Sequence, residues 1–246
     1  MVNKTTIRDK ILEYYEQVLK KRQQKFTYND EADKLIKWEP VAFLFAVVLD
    51  QGAQAERIWE IPYHLKKIMG HLDVYKIAAL KEEEIYQIFE QLPSKPRYWK
   101  TAAIRIKNAA THIIKRYQGQ AENIWNDNPK AGDLQARLDG FDGIGQKKAS
   151  MATRILGMDL NVTIRNWNEI DVSVDEMIQR VFPRAGLSST NSPQEIIECA
   201  RQLSPSFPGA LDYPCWDIGR TWCRPHSANC HECYIVEVCP RIGVLK

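Results

Sequence analysis

Four of the six cysteines lie close together in the sequence, at Cys223, Cys230, Cys233 and Cys239. Their spacing, C-x6-C-x2-C-x5-C, lets four thiolates surround one metal ion or one cluster. Soft sulfur ligands select zinc or iron–sulfur centres, and the spacing alone does not separate these two. His231 lies within this loop as an alternative zinc ligand, while Cys199 and Cys215 fall outside the spacing and are interpreted as ordinary buried cysteines. The spacing therefore predicts a metal or cluster site rather than a disulfide framework.

A glycine-rich segment, residues 138–149, separates two helical patterns and has the sequence LDGFDGIGQKKA. We expect Gly143 and Gly145 to adopt positive φ and to leave backbone amides uncovered. The helix that follows directs its first amides and its dipole toward whatever binds there. The segment therefore predicts a phosphate site, although a plain turn between two helices is the alternative. It is not a dinucleotide fingerprint, because no strand precedes it and the third glycine is missing.

A basic run follows residue 94 and contains seven Lys or Arg residues without one Asp or Glu: Lys95, Arg97, Lys100, Arg105, Lys107, Lys115 and Arg116. Tyr98 and Trp99 lie at its start. Such a run indicates either a solvated helix face or a surface that neutralises phosphates, with the aromatic side chains beside it.

Apolar residues recur at helical spacing through most of the chain, which predicts an all-α protein of about ten helices. The predicted helices cover residues 7–19, 40–49, 53–69, 74–91, 98–117, 133–138, 146–156, 175–182 and 193–203. Residues 41–49 are apolar on every side, so we expect other helices to surround them. Residues 160–164 are consistent with a short strand, and residues 166–170 with a polar loop.

The chain has 246 residues, of which 44% are hydrophobic and 26% charged, as in a folded globular protein. Its formal net charge of +3 permits binding to nucleic acid but is too small to argue for it. No apolar run approaches the roughly 18–20 residues of a membrane span, and the first ten residues lack the apolar region of a signal peptide. We therefore expect a cytoplasmic protein, associated with the nucleoid if the source is prokaryotic.

The glycine segment and the cysteine loop, in this order, resemble the helix-hairpin-helix DNA glycosylases of the endonuclease III superfamily. The family pattern L-P-G-V-G-x-K-T-A is matched by residues 141–149, and the V-D motif by Val174 and Asp175. The resemblance implies an all-α fold of two helical domains that flank a DNA-binding cleft. A six-helix barrel with the helix-hairpin-helix would span residues 36–156, and a cluster domain would combine residues 1–35 and 157–246.

The resemblance also implies roles for single residues. Lys147 would attack C1′ of the damaged nucleotide and form a Schiff base, while Asp175 would stabilise the developing positive charge or accept a proton. Gly143, Gly145 and Lys148 would contact DNA phosphates. The four cysteines of the loop would hold a [4Fe–4S] cluster.

A flipped nucleotide leaves a gap in the duplex, which this family fills with a glutamine and with an apolar or aromatic wedge. Gln54 is the closest match to the glutamine, and Gln51 is its competitor, because this sequence carries one extra residue there. Arg97 and Tyr98 lie nearest to the wedge position. The basic run would then neutralise phosphates beside the extruded nucleotide.

Three departures from the family pattern affect these assignments. About ten additional residues separate Lys147 from Asp175, around residues 161–171, so that Asp159 and Asp171 are alternatives to Asp175. The V-D motif also lacks the histidine that commonly follows it. Ala46 stands where the adenine glycosylases of this family need a glutamate, which disfavours adenine removal.

The leading hypothesis is a DNA glycosylase that removes a damaged base, oxidised pyrimidine by default, and nicks the abasic site by β-elimination. A monofunctional uracil or thymine mismatch glycosylase is the first alternative, in which Asp175 directs a water and Lys147 only binds DNA. A cluster-bearing DNA-binding module without catalysis is the second alternative. In each case the expected partner is double-stranded DNA, bound by a monomer.

Overall fold

The computed structural model describes residues 3–21, 25–51 and 54–244. Within these residues the chain is helical, with one isolated bridge between Lys130 and Arg165 in place of any sheet. The all-α prediction is confirmed. The helices are α1 Lys4–Tyr14, α2 Asp30–Trp38, α3 Pro40–Leu49, α4 Ala55–Trp59, α5 Ile61–Met69, α6 Val74–Ala79, α7 Glu82–Glu90, α8 Trp99–Tyr117, α9 Ala131–Asp139, α10 Gln146–Met158, α11 Glu176–Arg184, α12 Pro193–Leu203 and α13 Asp212–Thr221. None of the described helices is both long and apolar enough to cross a membrane.

Short helical segments complete the fold. A π-helical turn, Tyr15–Leu19, continues α1, and 3-10 turns cover Ala121–Ile124, Trp167–Glu169 and Pro208–Leu211. The Trp167–Glu169 turn occupies part of the predicted polar loop. The predicted strand at 160–164 is wrong, because Asn161 has a φ of 57° and the amide of Val162 bends back to donate to the carbonyl of Leu156.

Two predicted helices are each divided in the structure. The pattern at 53–69 forms α4 and α5, since Pro62 occupies the first turn of α5 and lacks the amide that a continuous helix requires. Residue 53 itself lies outside the described residues. The pattern at 74–91 breaks at Leu80, whose backbone is extended, before the Glu84 carboxylate accepts from the amide of Lys81 at the start of α7.

Two helices were not predicted. The first, α2, begins after Asn29, whose side chain accepts hydrogen bonds from the amides of Glu31 and Ala32. This is a recognisable N-cap signal that the short apolar pattern of α2 did not reinforce. The second, α13, contains both Pro214 and Gly219, which hid its periodicity.

The chain divides into two compact units. The terminal unit comprises Met1–Gln24, Lys130–Gly132 and Ile164–Lys246, and the central unit comprises Lys25–Pro129 and Asp133–Thr163. The predicted barrel range, 36–156, lies within the bounds of the central unit apart from 130–132.

The central unit is built around α3, in which residues 42–49 are all buried. Helices α2, α4, α5 and α8 contact it, as expected for a helix that is apolar on every side. In the terminal unit, Ile7 and Ile11 of α1 are buried with Ile178 and Phe182 of α11 and with Ile218 of α13. The first helix thus shares one core with the helices that precede the cysteine loop.

Candidate functional site

The turn between α9 and α10 is fixed by apolar anchors. The amide of Phe141 donates to Leu138 at 3.1 Å, and the amide of Ile144 donates to Phe141 at 3.0 Å. Both Phe141 and Ile144 are buried, and the Phe141 ring lies 4.4 Å from the ring of His112 on α8. The two buried apolar side chains therefore anchor the turn to the core, and its polar residues remain at the surface.

Only one of the two glycines has the backbone conformation that the sequence predicts. Gly143 has a φ of 89°, and a Cβ atom there would lie 2.8 Å from Cδ of Arg105. Gly145 has a φ of −111° and a ψ of −177°, an extended conformation open to any residue, and it serves as the N-cap of α10. The prediction of positive φ is confirmed for Gly143 and wrong for Gly145, because the residue that precedes a helix is ordinarily extended.

The two lysines of α10 occupy different environments. Lys147 is exposed at the second position of the helix. Lys148 is half-buried, and its Nζ donates a 2.9 Å hydrogen bond to the carbonyl of Val48 near the end of α3. Burial lowers the pKa of Lys148 to about 8, against a smaller opposing effect of the Asp50 carboxylate. The lysine predicted as a phosphate contact is thus the more enclosed of the two.

The turn borders an open pocket of about 560 Å³, which we call the hairpin pocket. Its lining residues are Asp50, Gln51, Arg105 and residues 143–148. The first amides of α10, together with the cationic groups of Arg105 and the two lysines, suit an anion such as phosphate. The same pocket holds the amine of Lys148. Its lowered pKa favours the neutral form, which is the form that attacks a carbonyl carbon.

Arg105 is a site residue that sequence reasoning identified only as one member of the basic run. It packs against Gly143, and its Nη1 donates to Oε1 of Gln51 at 3.0 Å. Its Nε lies 3.4 Å from a carboxylate oxygen of Asp142. Arg105 therefore connects the loop after α3 with the hairpin, a link that no local spacing could indicate.

The candidate gap-filling residues do not all line the same pocket. A smaller pocket of about 20 Å³ is lined by Gln51, Arg97, Tyr98 and Arg105, among others. Tyr98 is 62% exposed, and the Arg97 guanidinium lies 5.4 Å from its ring centroid. Gln54 instead donates from Nε2 to the hydroxyl of Tyr28 at 2.5 Å and does not line this pocket. Geometry thus groups Gln51, rather than Gln54, with Arg97 and Tyr98.

The two ends of the basic run have different surroundings. Its helix, α8, has 19 residues and is therefore about 28 Å long. At its start, the Nζ of Lys100 lies 5.6 Å from the ring centroids of both Trp99 and Tyr86. At its end, Lys115 and Arg116 are exposed in the last turn. The aromatic contacts distinguish the first basic group from an ordinary solvated face.

In the terminal unit, Asp175 is the N-cap of α11. Its Oδ1 accepts hydrogen bonds from the amides of Met177 and Ile178, each at 2.9 Å. Both bonds use the same oxygen, which leaves Oδ2 for a second role. The N-cap and the catalytic role predicted for Asp175 are therefore compatible.

The alternatives to Asp175 have structural partners of their own. Asp171 is buried in the terminal unit and accepts two hydrogen bonds from Arg201, at 2.8 and 2.7 Å. Asp159, in the central unit, lies 4.0 Å from Arg154, and burial raises its pKa to about 6. These contacts favour Asp175 among the three carboxylates.

The cysteine loop encloses a small cavity of about 20 Å³ in the terminal unit. All four predicted cysteines, Cys223, Cys230, Cys233 and Cys239, line it together with apolar residues such as Val181, Ile218 and Ile235. Burial raises the pKa of Cys233 to about 11 and also raises the pKa of Cys239. Within the described residues, no three His, Cys, Asp or Glu side chains have the mutual spacing of a closed metal site. The structure thus gathers the four thiols around one cavity without the geometry of bound ligands.

The remaining candidate ligands lie apart from this cavity. The His231 side chain is 83% exposed and does not line it. Cys215 is fully buried, as predicted, whereas Cys199 is only partly buried on α12. Arg184 was not identified from the sequence, yet its Nη1 lies 3.6 Å from Sγ of Cys223 and its carbonyl lies 3.8 Å from Sγ of Cys239.

Comparisons with known proteins support the resemblance. No protein-family model matches the chain. Endonuclease III of Thermotoga maritima is 21% identical over 202 residues, which cover 82% of this chain and 83% of that protein. Adenine DNA glycosylase of Schizosaccharomyces pombe is 25% identical over 243 residues, which cover 94% of this chain but only 48% of that longer protein.

Solved structures show the same fold. A trapped covalent intermediate of endonuclease III with DNA superposes with a TM-score of 0.68 at 18% identity, covering 98% of this chain and 97% of the other. A thermostable thymine-DNA glycosylase gives a TM-score of 0.64 at 15% identity, with coverages of 97% and 95%. These structures show that the chain has the endonuclease III-like fold, and the two sequence relatives support the resemblance to the helix-hairpin-helix DNA glycosylases of that superfamily.

Proposed function

We propose that this protein is a base-excision glycosylase that removes a damaged or modified base from double-stranded DNA and nicks the abasic site. The observation that carries the proposal is the hairpin pocket. There the first turn of α10 places Lys147 and Lys148 beside Arg105 and the positive-φ Gly143. Phosphate-binding amides and nucleophilic amines are thus combined on one rigid turn, as attack on a DNA sugar requires.

The chemistry begins with extrusion of the target nucleotide from the duplex, at a cost of a few kcal/mol. The Lys147 amine attacks C1′ through its nitrogen lone pair, the bond from C1′ to the base breaks, and the base leaves with a proton. Opening of the sugar ring gives a Schiff base between Nζ and C1′. Loss of a C2′ proton then breaks the C3′–O bond, and water releases the lysine.

Asp175 supports the departure of the base. Its Oδ2 carboxylate oxygen would stabilise positive charge on the sugar or accept a proton from the attacking amine. The N-cap bonds through Oδ1 fix the orientation of the carboxylate, so that the second oxygen keeps a defined direction. Oxidised pyrimidines are the substrate class that the family resemblance suggests first.

The four cysteines of the loop would hold a [4Fe–4S] cluster. They fit this group because they are soft ligands that line one apolar cavity, and because Arg184 Nη1, 3.6 Å from Cys223 Sγ, can donate a hydrogen bond to a ligating sulfur. A bound cluster would supply iron–sulfur bonds that close the loop. The chain's own contribution would be to present Arg220, Arg224 or Arg241 to DNA phosphates. A colourless protein with stoichiometric zinc would overturn this assignment.

The test is a panel of duplexes that each carry one lesion or mismatch, scored for strand nicking with and without alkali. Borohydride trapping on the best substrate should give a covalent adduct with the intact protein. We expect Lys147→Ala to reduce base release by roughly 10²–10⁴-fold, and Asp175→Asn by a similar factor. Lys76→Ala is the matched control, since this exposed lysine of α6 lies outside both the basic run and the hairpin pocket and should leave activity unchanged.

The outcomes separate the alternatives. Base release without nicking or trapping would indicate the monofunctional uracil or thymine glycosylase. Binding to DNA without base release from any duplex, unaffected by Asp175→Asn, would indicate a module without catalysis. Either result would contradict the lyase step proposed for Lys147.

A further inference from the structure

Lys148 is not explained by the role of a simple phosphate contact. A phosphate-binding lysine ordinarily extends into solvent as a point charge. Here the side chain is half-buried, its Nζ donates to the carbonyl of Val48, and it lines the hairpin pocket together with Lys147. The protein therefore keeps two adjacent lysines on one turn and encloses the second of them.

We propose that Lys148 is a second catalytic amine of the hairpin pocket, able to form the Schiff base with an abasic deoxyribose when Lys147 does not. The inference deepens the proposed function and rests on it. It assigns the lyase step to two neighbouring amines rather than to one. The flexible four-carbon stem of Lys148 allows Nζ to leave the Val48 carbonyl and reach a sugar carbon in the open pocket.

The charges around Lys148 favour its neutral form. The groups that act on it are the Asp50 carboxylate after α3, the Arg105 guanidinium of α8 and the Lys147 ammonium of its own helix. Burial is the largest effect and, with the two cations, outweighs Asp50. With a pKa of about 8, half of this amine is neutral at pH 8, against roughly one part in 250 for an ordinary lysine.

The step balances without an added oxidant or reductant. The Lys148 amine adds to the C1′ aldehyde of an opened abasic sugar, and loss of one water gives the iminium ion. A solvent base removes a C2′ proton, and the electron pair expels the 3′ phosphate by breaking the C3′–O bond. Water then hydrolyses the imine and restores the amine.

The experiment uses a duplex with a preformed abasic site, so that base removal is not required. The full-length protein and the variants Lys147→Arg, Lys148→Arg and the double variant are each treated with borohydride on this duplex. Arginine keeps the positive charge and the hydrogen-bond donors but cannot become a neutral nucleophile. The adducts are digested and mapped to single residues by mass spectrometry.

We expect Lys147→Arg to retain an adduct that maps to Lys148, and the double variant to lose it. In Lys147→Arg the trapping rate should rise roughly tenfold from pH 7 to pH 9, because an amine with a pKa of about 8 loses its proton there. Attack by an ordinary lysine would instead rise roughly 100-fold over this range. Equal duplex affinity of the arginine variants shows that they remain folded.

Loss of all trapping in Lys147→Arg, with affinity for the duplex unchanged, would overturn the role of Lys148. An adduct that maps to any other residue would also overturn it. Failure of the proposed function gives a different result, since no duplex would then release a base from the intact protein. The two outcomes are measured on different substrates and are therefore distinguishable.

Discussion

The hairpin pocket and the cysteine loop were both identified from short, spaced motifs, yet the structure builds them in opposite ways. The hairpin pocket is open, about 560 Å³ in volume, and lined by charged side chains and backbone amides. The cysteine cavity is about 20 Å³ and lined mainly by apolar residues and thiols. An open, charged surface suits a substrate that enters and leaves, whereas a small, apolar cavity suits a group that stays. The first should thus respond to mutation through DNA chemistry, and the second through stability.

The largest expected effect tests whether the cysteine loop acts through the stability of the protein. If the loop holds the proposed cluster, replacing Cys233 by Ala should abolish its visible absorption and lower the free energy of unfolding by several kcal/mol, because a bound metal centre contributes directly to folding. Cys215→Ala is the matched control, since Cys215 is even more deeply buried in the same unit but lies outside the motif. It should cost only about 1 kcal/mol and keep the colour. Equal losses from the two variants, measured by chemical denaturation, would show that the loop holds no cluster.

An intermediate effect is expected from the same substitution at the two glycines of the hairpin. Gly143→Ser should cost about 1–3 kcal/mol, because serine is strained at a φ of 89° and its Cβ would meet the Arg105 side chain. Gly145→Ser should be neutral or slightly stabilising, since the backbone there is extended and serine is a favourable N-cap.

Equilibrium unfolding in urea measures both glycine variants, and duplex affinity sharpens the comparison. A Cβ at Gly145 meets open space in the free protein. If Gly145→Ser keeps full stability but binds DNA more weakly, the open space beside this residue is where the phosphate lies. A stability loss at Gly145 as large as that at Gly143 would contradict the backbone description of the turn.

Local sequence patterns predicted most of what is local in the fold. The start of α10 after Gly145, the N-cap at Asp175 and the buried helix α3 all follow from residue type and periodicity over a few turns. The enclosure of Lys148 could not be predicted, because its partner, the Val48 carbonyl, lies 100 residues away. The contact of Arg105 with Gly143 likewise depends on how α8 packs against the hairpin. Periodicity reports which face of a helix is buried, but not which neighbour covers it.

The smallest expected effect is the difference between substitutions at Gln51 and Gln54. It tests the expectation that residues of the hairpin pocket act through DNA binding. Both residues fit the family pattern, but only Gln51 shares a pocket with Arg97 and Tyr98 and accepts a hydrogen bond from Arg105. On a duplex with a stable abasic analogue, Gln51→Ala should weaken binding by about 1 kcal/mol, or roughly fivefold. Gln54→Ala should change affinity little, because the Gln54 amide is engaged with the Tyr28 hydroxyl.

A larger loss of affinity for Gln54→Ala than for Gln51→Ala would mean that the loop after α3 rearranges when DNA binds, since Gln54 would first have to give up that hydrogen bond. Dependence on Gln51 would instead show that the free protein already holds its gap-filling amide in place through Arg105.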